Sequence, residues 1–277
     1  MNQTPPTKIL KGTQLGNVSA ILVGVHGNEL AGIRAIEEMN LQTIEKGEVR
    51  IIVGNPKAVE EGVRFVEYNL NRLFCSEDAV SDEVKRTYEY ARSREILSDL
   101  EGVDALLDIH ASNSPESEPF CICEPHAFAY AATFPAKRMV SGFDALEPGG
   151  SDGYINMQGG VGICFEAGYI NDPESVARAK EAMNAFLIVR GHISGNAPVQ
   201  SPKEWIHMES LYHTKTNTFN PEKIFADFEE VTRGQCIGKD GGEEVGVEDD
   251  GVVLFVRPRK KVGDEAFLFG KKKGEIV

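Results

Sequence analysis

Positive charge is what this 277-residue chain is shortest of: 29 Lys and Arg stand against 43 Asp and Glu, a formal net charge of −14 at pH 7. That field opposes the phosphate attraction that dominates nucleic-acid affinity, so DNA and RNA are not expected partners. An anionic small substrate would need arginines placed locally against it. Cysteines are few and odd in number, namely Cys75, Cys121, Cys123, Cys164 and Cys236. Sparse, unpaired usage predicts reduced thiols in a cytoplasm rather than a disulfide framework. Cys121 and Cys123 would share one face of a strand; their spacing is not that of a zinc knuckle, and buried or half-buried free thiols are expected. No apolar run approaches the roughly 20 residues needed to cross a bilayer. The polar start, Met1-Asn2-Gln3-Thr4-Pro5-Pro6, lacks the basic segment and long apolar stretch of a secretion signal. The expectations are a cytoplasmic location and no membrane. Internal repeats and low-complexity tracts are also missing.

What is present suits a folded chain. Hydrophobic residues make up 41% and charged residues 26%, a balance that supports a real core. As far as about residue 190, short apolar runs alternate with helix-like segments, which predicts an α/β fold with a largely parallel sheet. Candidate strands are 19–25, 49–54, 105–109, 119–123 and 162–165. A helix over 30–39 would bury Leu30, Ile33, Ile36 and Met39; a second over 81–100 would turn Val84, Tyr88, Ala91, Leu97 and Leu100 inward. A third opens at Asp172-Pro173 and would bury Val176, Ala179, Met183, Phe186 and Leu187. Small and polar residues cluster at 191–202 and the helical pattern stops. A boundary there divides the chain into 1–195, the α/β domain, and 196–277, a small β domain that is barrel- or sandwich-like. Its strands are read at 206–212, 232–237, 244–247, 252–256 and 266–269.

Chemistry concentrates in a few places. His26-Gly27-Asn28-Glu29 follows the first long strand, and an imidazole and a carboxylate three residues apart on a glycine turn can reach one cation. Ligands gather outside the carboxyl ends of strands in such sheets, so His110 and Glu166, both read at strand ends, can join them. His26, Glu29 and His110 make the two-His, one-Glu set of a catalytic zinc with a position left for water, one ion per chain. Glu166 suits the carboxylate that takes a proton from that water and passes it to the leaving group. Arg64 is the candidate for stabilising charge on a carbonyl oxygen, and Asn71 with Arg72 for holding a substrate carboxylate. Asp108, two residues before His110, can orient its imidazole.

The order of these elements resembles the succinylglutamate desuccinylase and aspartoacylase family of zinc-carboxypeptidase-like proteins. The resemblance rests on His26-Gly27-Asn28-Glu29, Asn55-Pro56-Lys57-Ala58-Val59, Arg64, Asn69-Leu70-Asn71-Arg72-Leu73-Phe74, Asp108-Ile109-His110 and Phe165-Glu166-Ala167-Gly168. It implies zinc on His26, Glu29 and His110, carboxylate binding by Asn71 and Arg72, carbonyl polarisation by Arg64 and acid–base work by Glu166. It also implies a carboxypeptidase-like mixed, largely parallel sheet flanked by helices, then a small all-β C-terminal domain. Two departures stand out. Residues 139–177 contain no Arg or Lys, where aspartoacylases look for an arginine that binds the side-chain carboxylate. The last tyrosine is Tyr212, so the tyrosine those enzymes draw from the C-terminal domain is missing, and N-acylaspartate specificity is not carried over.

Other features have plainer readings. His126, His192, His207 and His213 are read as surface or packing residues. Tyr154 and Asn156 either shape the pocket or pack. The basic stretches 257–261 and 271–273 are most simply solvated surface, with lining of the pocket mouth as the lesser reading. Together these features predict a zinc-dependent hydrolase that removes the acyl group from a small anionic N-acyl amino acid or related amide. The alternatives are a metallocarboxypeptidase acting on short peptides and a non-catalytic ligand-binding member of the fold. Self-association, as a homo-oligomer, is left open by a pattern of this kind.

Overall fold

The structure, a computed structural model, describes residues 6–196 and 198–276. Residues 1–5, read above for a secretion signal, lie outside the described residues. The chain opens with β1 (Thr7–Lys11), β2 (Gln14–Val23), α1 (Ala31–Met39), β3 (Lys46–Val53) and α2 (Pro56–Glu61). Then come α3 (Tyr88–Asp99), β4 (Ala105–Ser112), β5 (Phe120–Ile122), α4 (Phe128–Ala131) and β6 (Arg138–Ser141). Helices α5 (Phe143–Leu146) and α6 (Ser151–Met157) lead into β7 (Val161–Tyr169) and α7 (Ser175–Val189). Past residue 195 the chain is mostly strand: β8 (Lys203–His213), β9 (Phe219–Pro221), β10 (Glu229–Val231), β11 (Cys236–Asp240), β12 (Glu243–Gly246), β13 (Gly251–Leu254) and β14 (Glu265–Ile276).

One mixed sheet of eleven strands runs β1-β3-β2-β4-β7-β5-β6-β8-β14-β13-β10. Strands β3, β2, β4 and β7 are mutually parallel, and β5 enters antiparallel to β7. Every residue of β4 is buried, as a parallel strand covered on both faces requires. One face packs on α1 and α7 through Ala35, Ile109, Phe165, Met183 and Phe186. The other packs on α3, α6 and the 70–74 segment through Leu22, Leu70, Phe74, Ile96, Leu106 and Ile155. Past residue 195, β8 joins the same sheet by pairing parallel to β6, with Arg138 opposite Glu204, and β14, β13 and β10 extend it. A separate antiparallel sheet, β12-β11-β9, completes an α/β fold with a small β appendage.

The helix read at 81–100 differs most. Only Tyr88–Asp99 is α-helical, because Thr87 is extended (ψ 156°) and its side chain accepts from the Tyr90 N–H as a cap. Its buried face is polar: Glu89, Arg92 and Ser93 lie inside with Ile96, while Ala91 is exposed. The Arg92 guanidinium donates to the carbonyls of Gly54 and Val53, ending β3 with partners that a hydrophobic pattern does not reveal.

Candidate active site

Three neighbouring strands deliver the main groups. Strand β2 ends at Val23, and the turn after it carries His26 and Glu29. Strands β4 and β7 set His110 directly beside Glu166 in register, so both side chains leave the same face of the sheet. Glu166 was expected at a strand end but lies inside β7, which goes on pairing with β4 through Ser112 and Tyr169 after an irregular step. The His26 turn is pressed against α2. A Cβ on Gly27 would sit 2.1 Å from the Ala58 carbonyl carbon, and the Gly27 N–H donates to the Arg64 carbonyl (3.1 Å). Only glycine permits that approach.

Within the turn, His26 Nδ1 lies 2.9 Å from Glu29 Oε1, and His110 Nδ1 lies 3.0 Å from Glu29 Oε2. One ligand atom from each of the three residues falls within 4.8 Å of the others, and all three side chains are buried. Outer contacts orient both rings. His26 Nε2 is 3.0 Å from Asn69 Oδ1, and His110 Nε2 is 3.2 Å from Asp108 Oδ2, an oxygen that also accepts from the Ser151 hydroxyl (2.5 Å). Both Nδ1 atoms thus face Glu29, and a proton on His110 Nδ1 donates to Glu29 Oε2, a place that a cation would take over. His26 Nδ1 is buried and has no hydrogen-bond partner of good geometry. An orphaned imidazole nitrogen beside a buried carboxylate fits a divalent cation and is costly otherwise.

Electrostatics agree. Burial, aided by Arg64 and His110 against the pull of Glu29, pushes His26 down to about 4. Burial also acts against charge on His110, yet Asp108 and Glu29 outweigh it and hold its pKa well above the ordinary imidazole value. Glu29, despite burial, is kept well below the carboxylate range by His26 and His110. Glu166 is the opposite case: burial and the charge of Glu29 raise it to about 8, and its Oε2 has no partner. A carboxyl poised near neutrality can both accept and return a proton.

Arg64 reaches the group, donating from Nη1 to Glu29 Oε1 at 2.9 Å. Its loop is held by Glu89, whose buried carboxylate accepts from the N–H groups of Val66 (2.6 Å), Glu67 (3.2 Å) and Tyr68 (3.1 Å) and from Asn55 Nδ2 (3.2 Å). Nothing in the spacing singled out Glu89. Asn71 and Arg72 line the pocket. Arg72 is already engaged, with Nε and Nη2 donating to the two oxygens of Glu265 (2.8 and 2.7 Å) and Nη2 also meeting Glu147.

Several lining residues were not foreseen. Asp144, Glu147 and Asp152 face the pocket from the 142–157 stretch, and burial with the charges of Asp144 and Asp108 raises Asp152 to about 7. Arg257 and Arg259 line it from beyond β13, as the lesser reading of the basic stretch had it. Lys271, Lys272 and Lys273 instead make exposed ion pairs with Asp249, Glu230 and Glu209. Tyr154 and Asn156 are structural. Tyr154 packs on the core, while Asn156 accepts from the Gly162 N–H (2.8 Å) and donates to Asp144 (2.9 Å). His192 is fully buried between Lys46 O and Ser19 Oγ, and Ser112 and Ser114 donate to Asp227.

The sheet thus brings two imidazoles and a carboxylate able to hold a cation up to a buried carboxyl, the groups that a metal-assisted hydrolysis requires. Residues 16–189 match the model of the succinylglutamate desuccinylase/aspartoacylase catalytic domain, and the chain belongs to that family of acyl-amino-acid hydrolases. An N-acyl-aromatic-L-amino acid amidohydrolase (carboxylate-forming) B of Danio rerio is 34% identical over 114 residues, covering 36% of this chain and 36% of that protein. The chain thus matches about a third of that relative's length. A probable aspartoacylase of Prochlorococcus marinus is 22% identical over 77% of this chain and 78% of its own. Among solved structures, a succinylglutamate desuccinylase/aspartoacylase from Rhodobacter sphaeroides superposes with a TM-score of 0.71 at 20% identity, covering 96% of this chain and 89% of its own. At that identity the likeness establishes the fold.

Proposed function

We propose that the protein is a zinc-dependent amidohydrolase that removes the acyl group from a small N-acyl amino acid or related amide. The observation that carries this reading is the approach of His26 Nδ1 and His110 Nδ1 to the two oxygens of Glu29, with Glu166 in register beside His110. His26, Glu29 and His110 would hold a single zinc ion. When bound, the ion supplies Lewis acidity, lowering the pKa of a water and polarising the scissile carbonyl. Glu166 takes the proton of the attacking water on its free oxygen and returns it to the leaving amine nitrogen. Arg64, anchored through its loop to Glu89, meets the negative charge that develops on the carbonyl oxygen. Asn71 keeps a buried, unpartnered Oδ1 at the pocket, available to a donor on the substrate.

A cavity of about 160 Å³ favours a small substrate over an extended peptide. The competing metallocarboxypeptidase activity would use the same groups, and product analysis separates the two. Free acetate or succinate supports deacylation; a C-terminal amino acid released from a dipeptide supports the competitor. We assign residues 1–195 to the catalytic unit and 196–277 to a C-terminal unit that borders the pocket. Five free thiols favour a cytoplasmic setting, and none of the described helices is long and apolar enough to cross a membrane. The decisive variant is Glu166→Gln. Turnover should fall at least about 100-fold with zinc retained, because the amide cannot accept the water's proton. Near-normal turnover would refute the assignment, and intact ligand binding by the wild type without turnover would point to a non-catalytic member of the fold.

A further inference from the structure

We infer that Arg257 is the residue that anchors the substrate's carboxylate, a specificity role that rests on the deacylase reading above. The side chain expected to do this work is already occupied. Arg72 presents its fork to Glu265 in two hydrogen bonds and meets Glu147 as well, so a substrate anion arriving there would have to displace a carboxylate held at 2.7–2.8 Å. Nor does the 139–177 stretch supply a cation. Residues 139–177 carry no Lys or Arg, and the side chains they turn to the pocket include Asp144, Glu147 and Asp152.

Arg257 is the complement of Arg72. The residue lines the same pocket, at its border with a second hollow that it shares with Ser114 and Asp227; its guanidinium lies 5.5 Å from the Phe255 ring centroid and makes no ion pair or side-chain hydrogen bond among the described residues. Its nearest acid in effect, Asp227, is taken by the hydroxyls of Ser112 (3.1 Å) and Ser114 (3.2 Å). Burial and the neighbouring charge of Arg64 depress its pKa, against the pull of Asp227 and Glu166. A half-buried cation at a cavity wall, lacking a paired carboxylate, is relieved by an incoming one. The backbone holds it there. Strand β13 ends at Leu254, Phe255 takes a φ of 57°, and the Arg257 N–H donates to the Ala266 carbonyl of β14 (3.1 Å). Arg64 meanwhile stays on Glu29, so the two guanidiniums divide the labour between the reacting carbonyl and the anchored anion.

The carboxylate can belong to the amino acid or to the acyl group, and three probes separate the sources: N-acetylalanine, N-succinylalaninamide and the uncharged N-acetylalaninamide. Dissociation constants are measured by calorimetry on the zinc-loaded Glu166→Gln protein, which does not consume them, with and without Arg257→Gln or Arg257→Lys. Arg257→Gln should weaken whichever carboxylate-bearing probe the protein prefers by roughly 10- to 100-fold and leave N-acetylalaninamide within about twofold. Arg257→Lys, which keeps the charge, should recover part of the loss. Three outcomes overturn the inference: equal affinity for the carboxylate probes in Arg257→Gln, an equal loss for the uncharged probe, or no preference for either carboxylate in the parent protein. Hydrolysis by otherwise wild-type protein judges the parent reading separately. Turnover of N-acyl amino acids with an unchanged KM in Arg257→Gln would leave deacylation standing and remove this assignment.

Discussion

Adding zinc to metal-free protein should raise its melting temperature, and the size of the rise follows from the site. Tetrahedral zinc with ligand bonds near 2.0–2.2 Å sets ligand atoms about 3.3 Å apart. The Nδ1 atoms of His26 and His110 already lie 2.9 and 3.0 Å from the two oxygens of Glu29, and one ligand atom of each residue lies within 4.8 Å of the others, so the three side chains are gathered before an ion arrives. A nearly formed site spends little binding energy on rearrangement. Free zinc at about 100 to 1,000 times its dissociation constant stabilises the native state by about 2.7–4.1 kcal/mol. For a chain of this size, about 2 °C per kcal/mol converts this to a rise of roughly 5–8 °C. Differential scanning calorimetry on chelator-treated protein, with zinc titrated back, reads the shift directly. The shift should be smaller at pH 6 than at pH 8, because the ion must displace the proton held on His110 by Asp108 and Glu29. The sign of the proton's own contribution is opposite. A histidine pKa raised by folding stabilises the metal-free protein below its unfolded value, and that contribution is lost as pH rises through the folded value. Zinc that leaves the melting temperature unchanged, or an undiminished shift in the His26→Ala, His110→Ala double variant, would refute the reasoning.

Three further outcomes test the surrounding structure. Gly27→Ala should cost about 3 kcal/mol or more in urea unfolding and weaken zinc uptake, since the new methyl meets backbone at 2.1 Å on the turn that carries His26 and Glu29. Glu89→Ala should lower kcat more than zinc content and destabilise by roughly 1–3 kcal/mol, because it leaves the buried Asn55 amide and three part-buried N–H groups of the Arg64 loop without their acceptor; a variant with unchanged kcat would show that loop order is unimportant. Burial lowers the pKa of His192, against the pull of its hydrogen bond to Lys46 O, so its contribution is present above the unfolded value near 6.5 and fades as pH falls. The urea midpoint should therefore drop less between pH 7.5 and 5 in His192→Leu than in wild type.

The α/β alternation, the parallel core and the residues around Glu29 were legible because each depends on local pattern. Apolar runs mark β2, β4 and β7, and His26-Gly27-Asn28-Glu29 sits where β2 must turn. What escaped was long-range and polar. A helix pattern scored by apolar residues turned Ala91 inward, whereas Glu89 and Arg92 are the buried pair because they satisfy loop amides and β3 carbonyls. The engagement of Arg72 by Glu265 spans 193 positions, which no spacing argument reaches. Strand β8 joins the main sheet beside β6, an outcome of edge pairing that a change in composition near residue 195 does not encode.

Because His110 and Glu166 are neighbours across paired strands, their separation is set by hydrogen-bonded backbone in the middle of a sheet. The 255–259 turn, which also lines the pocket, lies outside those paired strands and can be exchanged or lengthened more freely than the 142–157 stretch, whose Ser151 and Asn156 are tied to Asp108 and to β7. Retargeting such a scaffold to a new acyl group is a matter of grafting segments, while a one-residue slip between β4 and β7 would send the reactive pair to opposite faces and silence the protein however well its binding surface were built.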